Sequence, residues 1–82
     1  MSRIEIGEHL AVDSRVCGGR LIFKGTRVLV ADVLELLKTG LMPDQVAQEY
    51  RGLVTSEAVY EAVTLRHKGV VREVLPKTKN AA

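Results

Sequence analysis

The stretch that decides the fold, residues 29–68, reads LVADVLELLKTGLMPDQVAQEYRGLVTSEAVYEAVTLRHK. Its apolar residues recur with the period of amphipathic helices and predict helices at about 30–39, 43–50 and 56–68. The two breaks between them each contain a glycine, which typically ends a helix. A short link, a short second helix and a longer third helix are typical of a helix-turn-helix unit. A generic three-helix bundle shows similar periodicity, so the pattern alone leaves both structures open.

Residues 1–28 are predicted to be extended chain that leads into these helices. Ile4 and Ile6 alternate with charged residues, and residues 10–12 and 21–23 are two further short apolar runs. Strands this short are not stable in isolation and need either the helices or the strands of a partner. The first strand is therefore either an edge through which two chains dimerise or a cover for the helices. We predict a mainly α fold, in which a three-helix bundle carries a short N-terminal β arm.

The composition indicates one small cytoplasmic domain. With 82 residues, the chain buries only roughly 60% of the surface that its unfolded form exposes, so oligomerisation is the expected source of extra stability. Cys17 is the only cysteine, which excludes a disulfide within one chain and suits a reducing compartment. No run of about eighteen apolar residues predicts a membrane span, and residues 1–5 lack the features of a signal peptide. We therefore expect a cytoplasmic homodimer.

The charge is unevenly distributed along the chain, although the net value is only +2. Residues 15–27 hold four basic and no acidic side chains, and residues 66–82 hold five basic side chains and one acidic. Residues 28–65, between these two segments, hold six acidic and two basic side chains. Because phosphate attracts basic side chains, contacts with the phosphates of a nucleic acid are expected mostly from the two basic segments.

If the helices form a helix-turn-helix unit, particular side chains are predicted to contact DNA. Its third helix presents the N-terminal half to base edges, and its second helix lies across the backbone. These positions are Thr55, Ser56 and Tyr60 for the groove and Gln45, Gln48 and Arg51 for phosphates or neighbouring bases. Glu57 and Glu61 are expected on the same surface of the third helix, where they would repel phosphate. Part of this surface could therefore contact protein instead.

The basic turn at residues 20–27 is a second candidate for phosphate binding. Arg20, Lys24 and Arg27 supply the charge, and Gly25 permits a close approach of the backbone. The structural alternative is that Arg27 holds the loop against a helix carbonyl or a carboxylate. The residues alone leave both interpretations open.

No arrangement of residues indicates catalysis, a metal or a cofactor. The glycines lack the spacing of a nucleotide-binding loop. His9 and His67 stand 58 positions apart, without a carboxylate or cysteine at ligand spacing. Cys17 has no evident base beside it, and Asp32 and Glu35 are more typical of a solvated helix surface than of a catalytic pair. We predict that the protein is not an enzyme.

Four sequence motifs resemble those of a known family. They are VCGGR at 16–20, FKGTRV at 23–28, PDQV at 43–46 and LVTSEAV at 53–59. Together with a predicted helix that ends at Gly40, they resemble the bacterial and archaeal family catalogued as domain of unknown function 433, over about residues 4–68. The resemblance implies a homeodomain-like three-helix fold with an N-terminal β arm.

For some members of that family, the resemblance also implies an antitoxin of the VapB kind. Such a protein pairs with a small PIN-like nuclease toxin, binds operator DNA and regulates its own operon. Residues 70–82 are predicted to be a basic tail, either a short helix or disordered. The segment from about Arg66 to Pro76 is then expected to bind the toxin and to become ordered on contact. The predicted toxin-binding residues are Lys68, Val70, Val71, Arg72, Val74 and Leu75. The alternative function is a protein–protein interaction module without DNA binding, which the acidic centre of the chain favours.

Overall fold

The computed structural model describes residues 3–69 of the chain. Within that range, the elements in chain order are β1 (Arg3–Ile6), β2 (Leu10–Asp13), a 3₁₀ turn (Cys17–Gly19), β3 (Leu21–Phe23), α1 (Val30–Lys38), α2 (Pro43–Glu49) and α3 (Ser56–His67). Each helix bound lies within one residue of the bound that the apolar periodicity predicts. The predicted tail at 70–82, with its toxin-binding residues Val70, Val71, Arg72, Val74 and Leu75, lies outside the described residues.

The predicted fold class, a mainly α bundle with a short β arm, is wrong, because residues 3–69 form an α+β fold. The strands make an antiparallel sheet in the order β1-β2-β3. β1 pairs with β2 along its full length, and Leu10 of β2 lies opposite Phe23 of β3. Leu10, Leu21 and Phe23 belong to the same buried cluster as apolar residues of the helices. The strands are therefore one layer of the core rather than an arm beside it.

The core lies between the sheet and the helices. Phe23 and Leu10 are its largest fully buried side chains from the sheet, and Val33, Val46 and Val59 come from α1, α2 and α3. Each of these five residues is at most 2% exposed. Because a domain this small buries few large apolar side chains, each of them contributes a large share of the stability.

The helices begin and end where local signals place them. α1 carries Asp32 in its first turn and Lys38 in its last turn, which suits the helix dipole at both ends. α2 begins at Pro43, whose fixed φ and missing N–H are tolerated at a first helical position. Thr55 precedes α3, and its hydroxyl oxygen accepts a hydrogen bond of 3.1 Å from the Ala58 N–H. These signals lie within one or two turns of the boundaries that they set.

Candidate nucleic-acid interface

The α2–α3 pair is built around a tight reversal of the chain. α2 is held at its start by Gln45, whose Oε1 accepts a hydrogen bond of 2.7 Å from the Met42 N–H. Beyond its last turn, Arg51 and Gly52 have positive φ angles of 53° and 87°. The N–H of Gly52 donates to the Ala47 carbonyl at 3.3 Å, which closes the end of the helix. The chain therefore turns sharply before it enters α3.

α3 has one buried face and one open face. Ala58, Val59 and Ala62 are buried and belong to the core. Tyr60 is 56% exposed, and Thr64, one turn further along the helix, is also exposed. Since residues four positions apart lie on the same side of a helix, these two side chains define a solvent-facing stripe.

Most of the helical side chains predicted to contact DNA lie at the surface. The exposed ones are Gln45, Gln48, Arg51, Thr55 and Tyr60, whereas Ser56 is half-buried. Gln45 and Thr55 also support the local structure, because each accepts a hydrogen bond from a backbone N–H at the start of its helix. The side chains of the other three exposed residues make no hydrogen bond or ion pair within residues 3–69, so they are open to a ligand.

The basic turn lies on a different surface from α3. The helices cover the sheet face that carries Leu10 and Phe23, and the alternate residues Ala11 and Ile22 point to the opposite face. Arg27 lines a pocket together with Ala11 and Ile22, which places it on that opposite face. Arg27 is therefore not brought together with the predicted DNA-contacting side chains of α3 in one continuous surface.

The basic residues of this turn differ in their surroundings. The Nζ of Lys24 lies 3.3 Å from a carboxylate oxygen of Glu5, so this charge is already paired with the sheet. Arg20 and Arg27 are exposed. The structural alternative for this turn was a cation that holds the loop against a carboxylate. Lys24 has this role, and Arg27 does not.

The expectation that Glu61 lies on the phosphate-facing surface of α3 is corrected by the structure. Its carboxylate accepts hydrogen bonds from the N–H groups of Glu8 and His9, at 2.8 Å and 2.7 Å. The Nδ1 of His9 lies 3.1 Å from the same carboxylate, and the Glu61 side chain is only 21% exposed. Glu61 therefore ties α3 to the turn between β1 and β2, and Glu57 remains exposed.

The Glu61 carboxyl is held in its ionised form. Its partial burial acts to raise its pKa, but the N–H groups of Glu8 and His9, together with the His9 ring, outweigh that effect and lower the pKa. Sequence reasoning missed this contact because residues 8 and 61 stand 53 positions apart. Only a pairing signal between distant positions could have found it.

Glycine is required at position 7 by both backbone conformation and space. Gly7 has a φ of 65°, and a Cβ there would collide with the Glu61 carboxylate. Gly25 has a similar φ of 75°, but a Cβ there would meet nothing within 4 Å. We expect Gly7→Ala to lose about 1–3 kcal/mol more stability than Gly25→Ala, because only the first forces Glu61 away from its hydrogen bonds. Urea denaturation of both variants measures the difference, and equal losses would contradict the contact.

In the part of the chain that the structure describes, no three His, Cys, Asp or Glu side chains are grouped so as to hold a metal ion. No helix of residues 3–69 is long and apolar enough to cross a membrane.

Comparison of the sequence with models of known protein families shows which family the chain belongs to. The family model described as "Protein of unknown function (DUF433)" matches residues 10–64, which is more than half of the chain. The chain belongs to the DUF433 family. The resemblance drawn from its motifs is confirmed at this level. The DUF433 match begins with β2 and ends within α3, so β1 lies outside it.

One solved structure is similar to the DUF433 chain. It is the crystal structure of Rv2018 from Mycobacterium tuberculosis, with 35% sequence identity and a TM-score of 0.58. The similarity covers 66% of the DUF433 chain and 24% of the Rv2018 chain, so the DUF433 chain spans about a quarter of that protein's chain. A comparison with curated proteins finds no match.

Proposed function

We propose that this DUF433 chain is a DNA-binding, antitoxin-like protein that regulates its own operon and neutralises a PIN-like nuclease toxin. The observation that carries the DNA-binding part is the open face of α3 beside the exposed turn that follows α2. Tyr60 is 56% exposed on that face, and Arg51 is exposed in the turn. In helix-turn-helix proteins, the second helix of the unit lies in the major groove, and α3 would have that place here.

The dimensions of α3 suit a groove. With 12 residues at about 1.5 Å each, α3 is roughly 18 Å long, and the major groove is about 12 Å wide. Its N-terminal half can therefore lie in the groove, with Thr55 and Tyr60 towards base edges. Gln48 and Arg51 then stand beside the sugar–phosphate backbone.

The exposed surface of α3 is less negative than the number of acidic residues along this helix indicates, which favours DNA binding. Glu61 is turned away towards the sheet, where N–H groups and the His9 ring surround its carboxylate. Arg51 is exposed before α3, and Arg66 and Lys68 are exposed at its other end. Cations at both ends of a recognition helix suit the phosphates on the two sides of a groove.

A homodimer is part of the proposal. β1 is an edge strand, and within residues 3–69 no strand pairs with its outer side. Ile4 on this strand is 61% exposed. Two chains that add β1 to β1 across a two-fold axis would pair the open edges and cover both Ile4 side chains. Such symmetry suits an operator with two half-sites, which helix-turn-helix dimers bind about 34–36 Å apart.

The neutralisation of a toxin is supported by charge and by the antitoxin role that the family resemblance implies for some members. Lys68 is exposed directly after α3, and the other predicted contact residues follow it along the chain. Residues 66–82 hold five basic side chains and one acidic. A basic segment suits an acidic nuclease site, because it can neutralise carboxylates that the nuclease requires.

Tyr60→Ala is expected to weaken binding to the DNA upstream of the gene by roughly fivefold to a hundredfold, because a lost base contact is worth about 1–3 kcal/mol. Fluorescence anisotropy at two salt concentrations measures this loss, and binding of the unaltered protein is expected to weaken steeply with salt. Lys38→Gln on the exposed end of α1 is the control and should bind normally. Equal affinities of the Tyr60→Ala and Lys38→Gln proteins would refute the role of α3.

The alternative function, a protein-interaction module without DNA binding, is favoured by exposed apolar side chains around the same unit. Met42 and Leu53 are 60% and 64% exposed on either side of α2. Absence of any anisotropy change at micromolar protein, at both salt concentrations, would favour this alternative. Co-purification with the product of the adjacent gene then tests whether a protein is the ligand.

A further inference from the structure

The outer edge of β1 pairs with no strand among residues 3–69 and lacks the features that usually keep such edges apart. Its register with β2 runs from Arg3 to Ile6 without a bulge. The strand contains no proline and no lysine. Because an exposed edge offers a row of backbone N–H and C=O groups, it is a template for a further strand. This edge therefore has the form of a binding surface.

The two faces of β1 differ in chemistry. Ile6 packs against the core, and Ile4, two residues away, lies on the same face and is 61% exposed. Arg3 and Glu5 lie on the other face, where their side chains are 47% and 58% exposed and their charged groups stand 3.5 Å apart. A strand that pairs with this edge therefore meets an isoleucine on the helix side of the sheet and two opposite charges on the other side.

A second copy of this chain offers a strand that fits both faces. In an antiparallel pair, residues that lie directly opposite each other point to the same face of the sheet. Ile4 and Glu5 point to different faces, so they cannot lie opposite each other. The two-fold axis between two β1 strands must therefore pass beside a residue, and not between two neighbouring residues. Each residue of β1 is then one possible position of the axis.

Charge and backbone conformation disfavour three of the positions. An axis at Arg3 places two guanidinium groups opposite each other, and an axis at Glu5 does the same with two carboxylates. Like charges at directly opposite positions are destabilising. An axis at Ile6 brings Gly7 of both chains into the ladder, although Gly7 lies beyond β1 and has a φ of 65°. These three registers therefore compete poorly.

An axis at Ile4 brings complementary groups together. The two Ile4 side chains then lie opposite each other, and each Arg3 lies opposite Glu5 of the partner subunit. Within its own chain, Arg3 lies opposite Asp13 of β2, and the Nζ of Lys24 lies 3.3 Å from Glu5. The charges therefore alternate in sign across the joined strands. Opposite charges at directly paired positions stabilise an antiparallel sheet.

We propose that β1 pairs with β1 of a second copy about a two-fold axis at Ile4, and that Arg3 and Glu5 select this partner and register. This pairing rests on the homodimer of the proposed function and adds the residues that determine self-recognition. The two-fold axis of such a pair is perpendicular to the sheet, so two three-stranded sheets become one sheet with the helices of both chains on the same face. Both α3 helices then lie on one side of the joined sheet, as binding to a single duplex requires.

Disulfide trapping of the full chain tests the register. In a Cys17→Ser background, Arg3→Cys, Ile4→Cys and Glu5→Cys are each oxidised without DNA or toxin, and the covalent dimer is followed on non-reducing gels. Ile4→Cys should form the dimer at least about tenfold faster than the other two. The reason is that residues 3 and 5 lie about 7–8 Å from their own copies in this register, which is beyond the reach of a disulfide. Lys38→Cys, on the exposed end of α1, gives the rate of random collision.

Charge reversal tests the selection by Arg3 and Glu5. In sedimentation equilibrium, Arg3→Glu and Glu5→Arg should each weaken the homodimer by about tenfold, because each reversal creates two like-charged pairs. An equimolar mixture of the two variants should recover the affinity of the unaltered protein, because every pair in the mixed dimer has opposite charges. Glu35→Lys and Lys38→Glu, on the exposed surface of α1, are the control and should associate like the unaltered protein, both alone and mixed.

Several outcomes would overturn this pairing, in variants shown to be folded by circular dichroism. Faster trapping at residue 3 or 5 than at residue 4, or no recovery in the mixture, would exclude the register or its selection by charge and leave the homodimer standing. Trapping of Ile4→Cys no faster than of Lys38→Cys would show that β1 is not the interface between copies. A monomer at all concentrations would also remove the homodimer from the proposed function. DNA binding is measured separately with the unaltered and Tyr60→Ala proteins, so its failure is distinguishable from all of these results.

Discussion

Phe23→Ala is expected to remove a large part of the stability of the fold. Phe23 is 2% exposed in β3 and lies opposite Leu10. Truncating a buried phenylalanine costs about 3–5 kcal/mol, because it removes apolar contacts and leaves a cavity. At about 0.05–0.15 kcal/mol per residue, a chain of 82 residues has a total stability of only about 4–12 kcal/mol. Thermal denaturation followed by circular dichroism should show a midpoint lower by roughly 12 °C or more.

The matched control for this prediction is Tyr60→Ala. It removes an aromatic side chain of similar size, but from a site that is 56% exposed, so its cost should stay below about 1 kcal/mol. If β3 belonged to a dispensable arm, Phe23→Ala would leave the helices folded and the midpoint almost unchanged. A small effect of Phe23→Ala would therefore contradict the α+β core.

Glu61→Ala is expected to cost about 2–3 kcal/mol at neutral pH. It leaves the N–H groups of Glu8 and His9 without the carboxylate that accepts from both. The turn between β1 and β2 also loses its tie to α3. Hydrogen exchange at residues 8 and 9 should accelerate, and urea denaturation measures the loss of stability.

The contribution of Glu61 should depend on pH. Its pKa in the folded protein lies below its ordinary value of 4.5, so the ionised form stabilises the fold. This contribution is complete above pH 4.5 and is lost as the pH falls through the lower pKa of the folded state. The stability difference between the unaltered protein and Glu61→Gln should therefore be largest at neutral pH and shrink in acid.

Glu57→Gln is the control for this pH dependence. Glu57 lies on the same helix but is exposed, and its side chain has no hydrogen-bond or ion-pair partner among residues 3–69. Its replacement should leave the pH profile of stability unchanged. The difference in the free energy of unfolding between Glu61→Gln and the unaltered protein could instead stay constant from neutral pH into acid. That result would show that the carboxylate charge is not what ties α3 to the turn.

The helices could be predicted almost to the residue because their signals are local. The apolar face of Val30, Val33 and Leu34 and the capping role of Thr55 depend only on neighbours in the sequence. The short strands were also visible as apolar runs. The arrangement of the strands could not be predicted, because an apolar run has the same sequence pattern whether it forms an arm or a buried layer.

The candidate interface was predicted in part. Tyr60 and Arg51 are exposed, as the helical pattern indicates, but Glu61 points to the sheet instead of to the same surface. Arg27, which was considered together with α3, lies on the far side of the sheet. In both cases, the position of a side chain follows from strand pairing rather than from its own helix or turn.

By itself, the sequence determined the family and the bounds of α1, α2 and α3, since motifs and helix ends depend on residues within a few positions of each other. Only the tertiary structure decided that the strands form a layer of the core, that Glu61 is turned inward and that the basic turn is separated from α3. These features rest on contacts between residues as much as 53 positions apart. The periodicity of one helix or strand carries no information about such distant partners, because it reports only which face of that element is apolar.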